Sequence, residues 1–185
     1  EYLGWGIAGG GDVNGDGYDD ILVGAPHWTD GELREGAVFL FLGTPTGPGL
    51  SPAWFATGNQ IEAHFGSSCA GAGDINGDGY ADIVIGAPDF DNDQIDEGRV
   101  FVYLGSPTGP GSVPDRTMEA YQDGAQYGWA VASAGDLNGD GYADLLVGHW
   151  TSSAGASIAG RAVLYSGQTG NALRTITSTT ANENF

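Results

Sequence analysis

One nine-residue segment occurs three times, as Asp12-Val-Asn14-Gly-Asp16-Gly-Tyr18-Asp-Asp20, Asp74-Ile-Asn76-Gly-Asp78-Gly-Tyr80-Ala-Asp82 and Asp136-Leu-Asn138-Gly-Asp140-Gly-Tyr142-Ala-Asp144. The copies begin at 12, 74 and 136, a period of 62 residues. A constant interval of that size marks stacked supersecondary units, none of which buries its apolar face alone. The 185 residues therefore divide into three units, 1–62, 63–124 and 125–185, instead of forming one domain around an undivided core.

Aligned on the loop, the units repeat the same order of apolar runs. Leu3-Gly4, Phe65-Gly66 and Tyr127-Gly128 open them, and small residues such as those from Trp129 to Ala134 lead into the loop. Small side chains at alternate positions suit a first strand packed close to an axis. Ile21–Val23, Ile83–Ile85 and Leu145–Val147 follow as buried second strands, closed by Gly24-Ala25-Pro26, Gly86-Ala87-Pro88 and Gly148, because proline cannot continue a ladder. Residues 36–43, 98–105 and 160–167 form third strands. Pro- and Gly-rich turns, shortened in the third unit, separate them from more polar fourth strands at 53–56, 116–120 and 173–177. The expected fold is all-β: three four-stranded antiparallel β-propeller-type blades, with the Asp-rich loop between the first and second strands.

The loop has the chemistry of a cation cage. Oxygen side chains at positions 1, 3 and 5 (Asp12, Asn14, Asp16; Asp74, Asn76, Asp78; Asp136, Asn138, Asp140) alternate with glycines that permit a tight wrap. Position 7 (Tyr18, Tyr80, Tyr142) offers its backbone carbonyl, and position 9 (Asp20, Asp82, Asp144) closes the set. Hard oxygen donors without His or Cys favour Ca²⁺ over zinc or copper, and a flexible loop suits calcium better than octahedral magnesium. The alternative is a metal-free Asx-rich turn, which three copies in register disfavour. An EF-hand needs glutamate at position 12, where Val23, Ile85 and Val147 stand inside apolar runs. Three structural Ca²⁺ sites are expected, with affinities from micromolar to millimolar, about 10⁻⁷ to 10⁻³ M by analogy with sensor and extracellular sites.

Charge narrows the partners. The chain has 24 acidic and 5 basic residues, a net charge of −19, which opposes nucleic-acid binding and an anionic membrane surface. Three bound Ca²⁺ would add +6 and leave −13, so folding and calcium are expected to be coupled. Cys69 is the only cysteine, excluding an intrachain disulfide, and reads as a small apolar strand residue. No apolar run reaches the roughly 20 residues that span a bilayer, no signal peptide opens the sequence and no N-glycosylation sequon occurs.

The loops and their flanks resemble the FG-GAP repeats of integrin α-subunit propellers and their bacterial relatives, named for the Phe-Gly and Gly-Ala-Pro marks at Phe65-Gly66 and Gly86-Ala87-Pro88. The third unit departs, with Tyr127-Gly128 and Gly148-His149-Trp150. The resemblance implies four-stranded blades, each with a calcium ion stiffening its first hairpin, in a propeller that serves adhesion or ligand binding outside the cell. Integrin-like propellers have seven blades, and closed rings run from about four to eight. Three blades therefore imply further blades in a longer chain or self-association.

Several residues outside the loops admit two readings. The segment from Asp89 to Glu97 is a solvated acidic loop or holds a further cation or basic ligand. His27-Trp28 and His149-Trp150 pack between blades or stack on a sugar or protein partner. Trp5 and Trp129 are expected between blades, His64 at the surface, and Arg99 and Arg161 paired with a carboxylate of the next blade. No grouping of nucleophile, base and acid supports catalysis. The expectation is a non-catalytic, calcium-stabilised extracellular or cell-surface module binding a protein or carbohydrate ligand. The alternatives are a subunit of a self-assembling surface polymer and the propeller part of a larger secreted enzyme.

Overall fold

A computed structural model describes residues 2–149 and 160–177. The described residues form three antiparallel four-stranded sheets, each with its strands in sequence order. The first holds β1 (Ile7–Gly11), β2 (Asp20–Ala25), β3 (Ala37–Phe41) and β4 (Trp54–Thr57). The second holds β5 (Ser68–Gly73), β6 (Asp82–Ala87), β7 (Arg99–Tyr103) and β8 (Arg116–Glu119). The third holds β9 (Ala130–Gly135), β10 (Asp144–His149), β11 (Arg161–Tyr165) and β12 (Ala172–Thr177). These are propeller-type blades, and each Asp-rich loop joins a blade's first strand to its second. The second strands begin one residue earlier than the apolar runs suggest, on Asp20, Asp82 and Asp144.

Glycine sets the exit into the loop. The β1–β2 and β5–β6 registers shift by one residue at Gly11 and Gly73, whose φ angles are 74° and 75°. A bulge of this kind bends the strand where a Cβ would resist the left-handed conformation.

Blade-on-blade packing explains why the second strands are apolar throughout. Successive strand residues point to opposite faces, and β6 is buried on both. Ile83, Ile85 and Ala87 join Leu22, Val38 and Leu40 of the first blade in one core. Val84 joins Val100, Tyr127 and Val147 in a second core shared with the third blade. Burial of each such side chain stabilises by about 1.5–3 kcal/mol. On the first blade, where the outer face is open, Ile7 and Ile21 are exposed.

At the inner strands the blades meet backbone to backbone. A Cβ on Gly24 would lie 2.2 Å from the Gly66 carbonyl oxygen, and one on Gly86 would lie 1.9 Å from that of Gly128. The opening aromatics lock the same seam. Phe65 and Tyr127 are buried and their N–H groups donate to the carbonyls of Glu35 (3.1 Å) and Glu97 (2.9 Å) in the preceding blade. The residue before each opening pair, Tyr2, His64 and Gln126, has a positive φ near 50°.

Several side chains lie elsewhere than the sequence suggests. Trp5 and Trp129 are exposed, since the glycines beside them bring the backbones too close for an indole to enter the seam. Trp28 packs edge-on against Phe39 of its own blade. Trp150 lies outside the described residues. His64 is not a free surface group: its Nδ1 is 2.6 Å from Asp89 and its Nε2 3.3 Å from Glu62. Arg99 pairs with Glu119 within its own blade, because β7–β8 register sets the two directly opposite; no ion pair of Arg161 occurs among the described residues. The acidic segment is a solvated loop for most of its length, exposed from Asp91 to Asp93 and at Ile95 and Asp96, but its first residue is tied to the next blade, where Asp89 accepts from Gln126 Nε2 at 2.8 Å.

Cys69 sits buried in β5, where loss of water pushes its thiol up to about 11. The neutral thiol is favoured, so the folded chain should resist a thiolate-selective reagent such as DTNB at pH 8 and react fully in guanidinium. Rapid labelling of the folded chain would contradict this burial.

Candidate metal centre

The three loops share one hydrogen-bond pattern, written by their alternation of Asp, Asn and Gly. In the first, Asp12 Oδ1 accepts from the N–H groups of Gly15 (2.7 Å) and Asp16 (3.0 Å), and Oδ2 accepts from Gly17 (2.8 Å). Asn14 Oδ1 accepts from the Asp16 N–H, and Asp16 Oδ1 accepts from the Tyr18 N–H. Asp74, Asn76 and Asp78 repeat this, as do Asp136, Asn138 and Asp140. Glycines at positions 4 and 6 take φ between 74° and 91° in every copy. That conformation lets successive N–H groups turn toward the position 1 carboxylate. Positions 1, 3 and 5 are thereby oriented by the backbone itself.

Position 9 does a different job. Asp20 is buried; its Oδ2 accepts from the Val13 N–H (3.0 Å) and its Oδ1 from the Gly43 N–H (2.8 Å). Asp82 does the same with Ile75 and Gly105, both at 2.8 Å. Asp144 holds Leu137 at 3.0 Å and Gly167 more loosely at 3.3 Å. These carboxylates tie the loop to the turn between the third and fourth strands, a role not visible in the motif.

Burial raises the pKa of Asp20 and pushes that of Asp82 up to about 6. Desolvation is the main cause in both, opposed by the two backbone N–H bonds and reinforced by the carboxylates at positions 1 and 5. No Arg or His pairs with any loop carboxylate among the described residues. Each loop thus concentrates carboxylates at positions 1, 5 and 9, with Asp19 a fourth in the first loop, without a compensating cation among the described residues, an arrangement that costs free energy until positive charge enters.

The donor set fits a hard divalent cation: carboxylates, an amide oxygen, a carbonyl at Tyr18, Tyr80 or Tyr142, and no sulfur or imidazole. Each carboxylate oxygen has two lone pairs, so one bonded to a single N–H retains acceptor capacity. Among the described residues no three His, Cys, Asp or Glu side chains already converge at ion-binding distance. The loop side chains are gathered but turned onto their own amides.

Two registered groups escape the motif reading. Glu35 and Glu97, one period apart and each preceding a third-strand glycine, are fully buried. Glu35 accepts from the N–H groups of Asp30 (2.9 Å) and Asn59 (3.1 Å), and so stitches the connection after β2 to the one after β4. Their spacing of 62 was the available signal. At the end of the blades opposite the loops, Trp5, His27, His64, Ser67, Asp89 and Trp129 line a cleft of about 240 Å³. The His27 ring lies 5.1 Å from that of His64, and burial, then the neighbouring His64, lowers the His27 pKa.

The sequence matches an FG-GAP-like repeat over residues 12–85 and an FG-GAP repeat over 127–163, and all three loops fall inside these spans. It is 36% identical over 167 residues to Drosophila melanogaster integrin alpha-PS2, covering 82% of this chain and 12% of that protein. It is 40% identical over 145 residues to Homo sapiens integrin alpha-IIb, covering 74% of this chain and 14% of that one. For Gallus gallus integrin alpha-V the identity is 37% over 156 residues, covering 80% and 15%. The chain thus spans a small fraction of the curated relatives it matches. The 62-residue unit that the loops punctuate is an FG-GAP repeat, and the chain belongs to the integrin-α-like FG-GAP family.

Proposed function

We propose that the chain is a calcium-stabilised, non-catalytic binding and adhesion module acting outside the cell or at its surface. The observation that carries the calcium part is the accumulation of uncompensated carboxylates in all three loops, above all at Asp82, which is fully buried and has no cationic neighbour among the described residues. Asp12, Asn14, Asp16, Tyr18 and Asp20, with their counterparts in the second and third loops, are the proposed ligands. Bound calcium would supply the missing positive charge and hold the first hairpin of each blade. Affinities in the weaker part of the range for such loops suit a calcium-rich exterior.

The ligand surface is assigned to the end of the blades opposite the loops, where Trp5 and Trp129 expose their indoles beside His27, His64 and Asp89. Exposed aromatic faces with polar neighbours suit a protein side chain or a sugar ring. Membership of the integrin-α-like family supports the adhesion reading. No helix among the described residues is long and apolar enough to cross a membrane.

The test is attachment of cells, and binding to protein and glycan panels, by the immobilised chain. Attachment is expected in calcium, is lost in EGTA, and falls about tenfold or more in Trp5→Ala and Trp129→Ala, since each buried aromatic contact is worth on the order of 1–2 kcal/mol. A chain that binds nothing on either panel but sediments as high polymers in calcium would replace adhesion with a structural role. Exposed Ile7, Ile21, Leu173 and Ile176 on the two outer blades make that the competing reading.

A further inference from the structure

We propose that the seam between the second and third blades holds a binding site for a small monocarboxylate, with Arg161 as its cation and the Tyr127 hydroxyl as a buried donor. The proposal rests on neither the calcium nor the adhesion reading.

The site stands out because the same seam occurs twice with different contents. Between the first and second blades, Phe65 meets Phe101 edge to face with ring centres 5.1 Å apart, and Phe90 meets Phe101 at 5.7 Å. Arg99 lies over Phe90, 4.1 Å from its ring centre, and pairs with Glu119. Rings fill that seam, and its cation is neutralised. One period later Tyr127 stands for Phe65, Val163 for Phe101 and Arg161 for Arg99. Val163 puts a small branched side chain where the first seam has a ring. A cavity of about 210 Å³ lies there, among Glu119, Tyr127, Arg161, Val163, Tyr165 and Thr175.

Two polar groups in its wall are left without partners. Tyr127 is 1% exposed, and its hydroxyl is buried and unpartnered. Burial, then the Tyr165 phenol beside it, raise its pKa, and the two hydroxyls stand outside hydrogen-bonding geometry. Tyr127 is therefore a neutral donor that lacks an acceptor. Arg161 Nε is likewise buried and unpartnered, and no carboxylate lies at ion-pairing distance from its guanidinium among the described residues. Strand register is the cause: β7–β8 sets Arg99 opposite Glu119, whereas β11–β12 sets Arg161 opposite Thr177. Glu119 also faces the cavity, but it is already paired with Arg99 and accepts from Asn92 Nδ2 at 3.1 Å.

These groups define the chemistry of the occupant. A guanidinium presents a planar fork of donors that matches a carboxylate, and such charge-assisted bonds are about twice as strong as neutral ones. The phenol supplies a further donor from the buried side. A doubly charged phosphate fits less well, because one of its charges would face Glu119 uncancelled. Val163 leaves an apolar wall for a short organic tail, in keeping with small-molecule sites that combine apolar surface with a few convergent polar groups.

Titration of the full chain with acetate and with benzoate, followed by proton–nitrogen NMR spectra, tests the assignment. Saturable shifts at the Tyr127, Arg161 and Val163 amides are expected, with dissociation constants on the order of 1 mM for ligands of so few atoms. Arg161→Gln is expected to weaken binding about tenfold or more. Tyr127→Phe, which restores the residue found at Phe65, weakens it about fivefold. Val163→Phe refills the cavity as Phe101 does and abolishes binding. Circular dichroism checks that each variant folds, and the three are independent, so a failure of one to fold leaves the others to decide. The absence of saturable shifts at about 50 times the expected constant, or shifts that survive both Arg161→Gln and Val163→Phe, overturns the site. Sulfate or phosphate binding more tightly than acetate at the same residues overturns the carboxylate assignment.

Discussion

Chelation with EGTA is expected to lower the melting temperature of the chain by about 20 °C. A site holding its ligand at 100 times Kd contributes about 2.7 kcal/mol to the folded state, so three sites contribute roughly 8 kcal/mol. For a chain of this size each kcal/mol moves the midpoint by about 2–4 °C. The electrostatics point the same way, because the metal-free loops confine ten carboxylates, six of them at positions 1 and 5, three buried at position 9, and Asp19 in the first loop. Differential scanning calorimetry in calcium and in EGTA, at constant ionic strength, measures the effect. An unchanged midpoint, with no metal by elemental analysis, would remove calcium from the account.

Gly86→Ala is expected to cost a great deal for a single added methyl. Its new methyl would meet the Gly128 carbonyl oxygen at 1.9 Å and Ser68 Oγ at 2.5 Å, and the first is backbone that no rotamer can move. Ser68 already donates to that carbonyl at 2.7 Å, so relief would require the second and third blades to separate. Overpacking of this kind costs about 3 kcal/mol, a fall in midpoint of roughly 6–12 °C. Gly9→Ala in β1, with nothing within 4 Å of its added methyl, should leave the midpoint within a degree or two. If both variants melted alike, the close approach of the inner strands would be wrong.

The blades were legible because their information is local. Each strand is a short apolar run between glycines, and the period of 62 sets twelve such runs in register before any contact is known. The loops were legible for the same reason, since Asp12, Asn14, Asp16 and their copies act within nine residues. What acts between blades was not legible. A motif cannot say that the Tyr80 ring lies on Gly15 of another repeat, or that Arg99 faces Glu119 across β7–β8 and not a neighbouring blade. Trp5 and Trp129 were misplaced because hydrophobicity argues for burial, while the glycines on which they border leave the seam no room. Position 9 combined both cases: Asp20, Asp82 and Asp144 were chosen for their carboxylates, yet their backbone ties to Gly43, Gly105 and Gly167 depend on a turn 23 residues further along.

The seam in which a carbonyl from one blade enters the glycine notch of another carries almost no side-chain code. Gly24 receives Gly66 and Gly86 receives Gly128 through peptide atoms that every repeat possesses. Side-chain interfaces must change on both sides together, but a seam of this kind accepts any unit that keeps its glycine and its opening turn. Repeats joined in this way can be duplicated, deleted or exchanged as whole cassettes, leaving their exposed connections free to diverge toward new ligands without disturbing the joint.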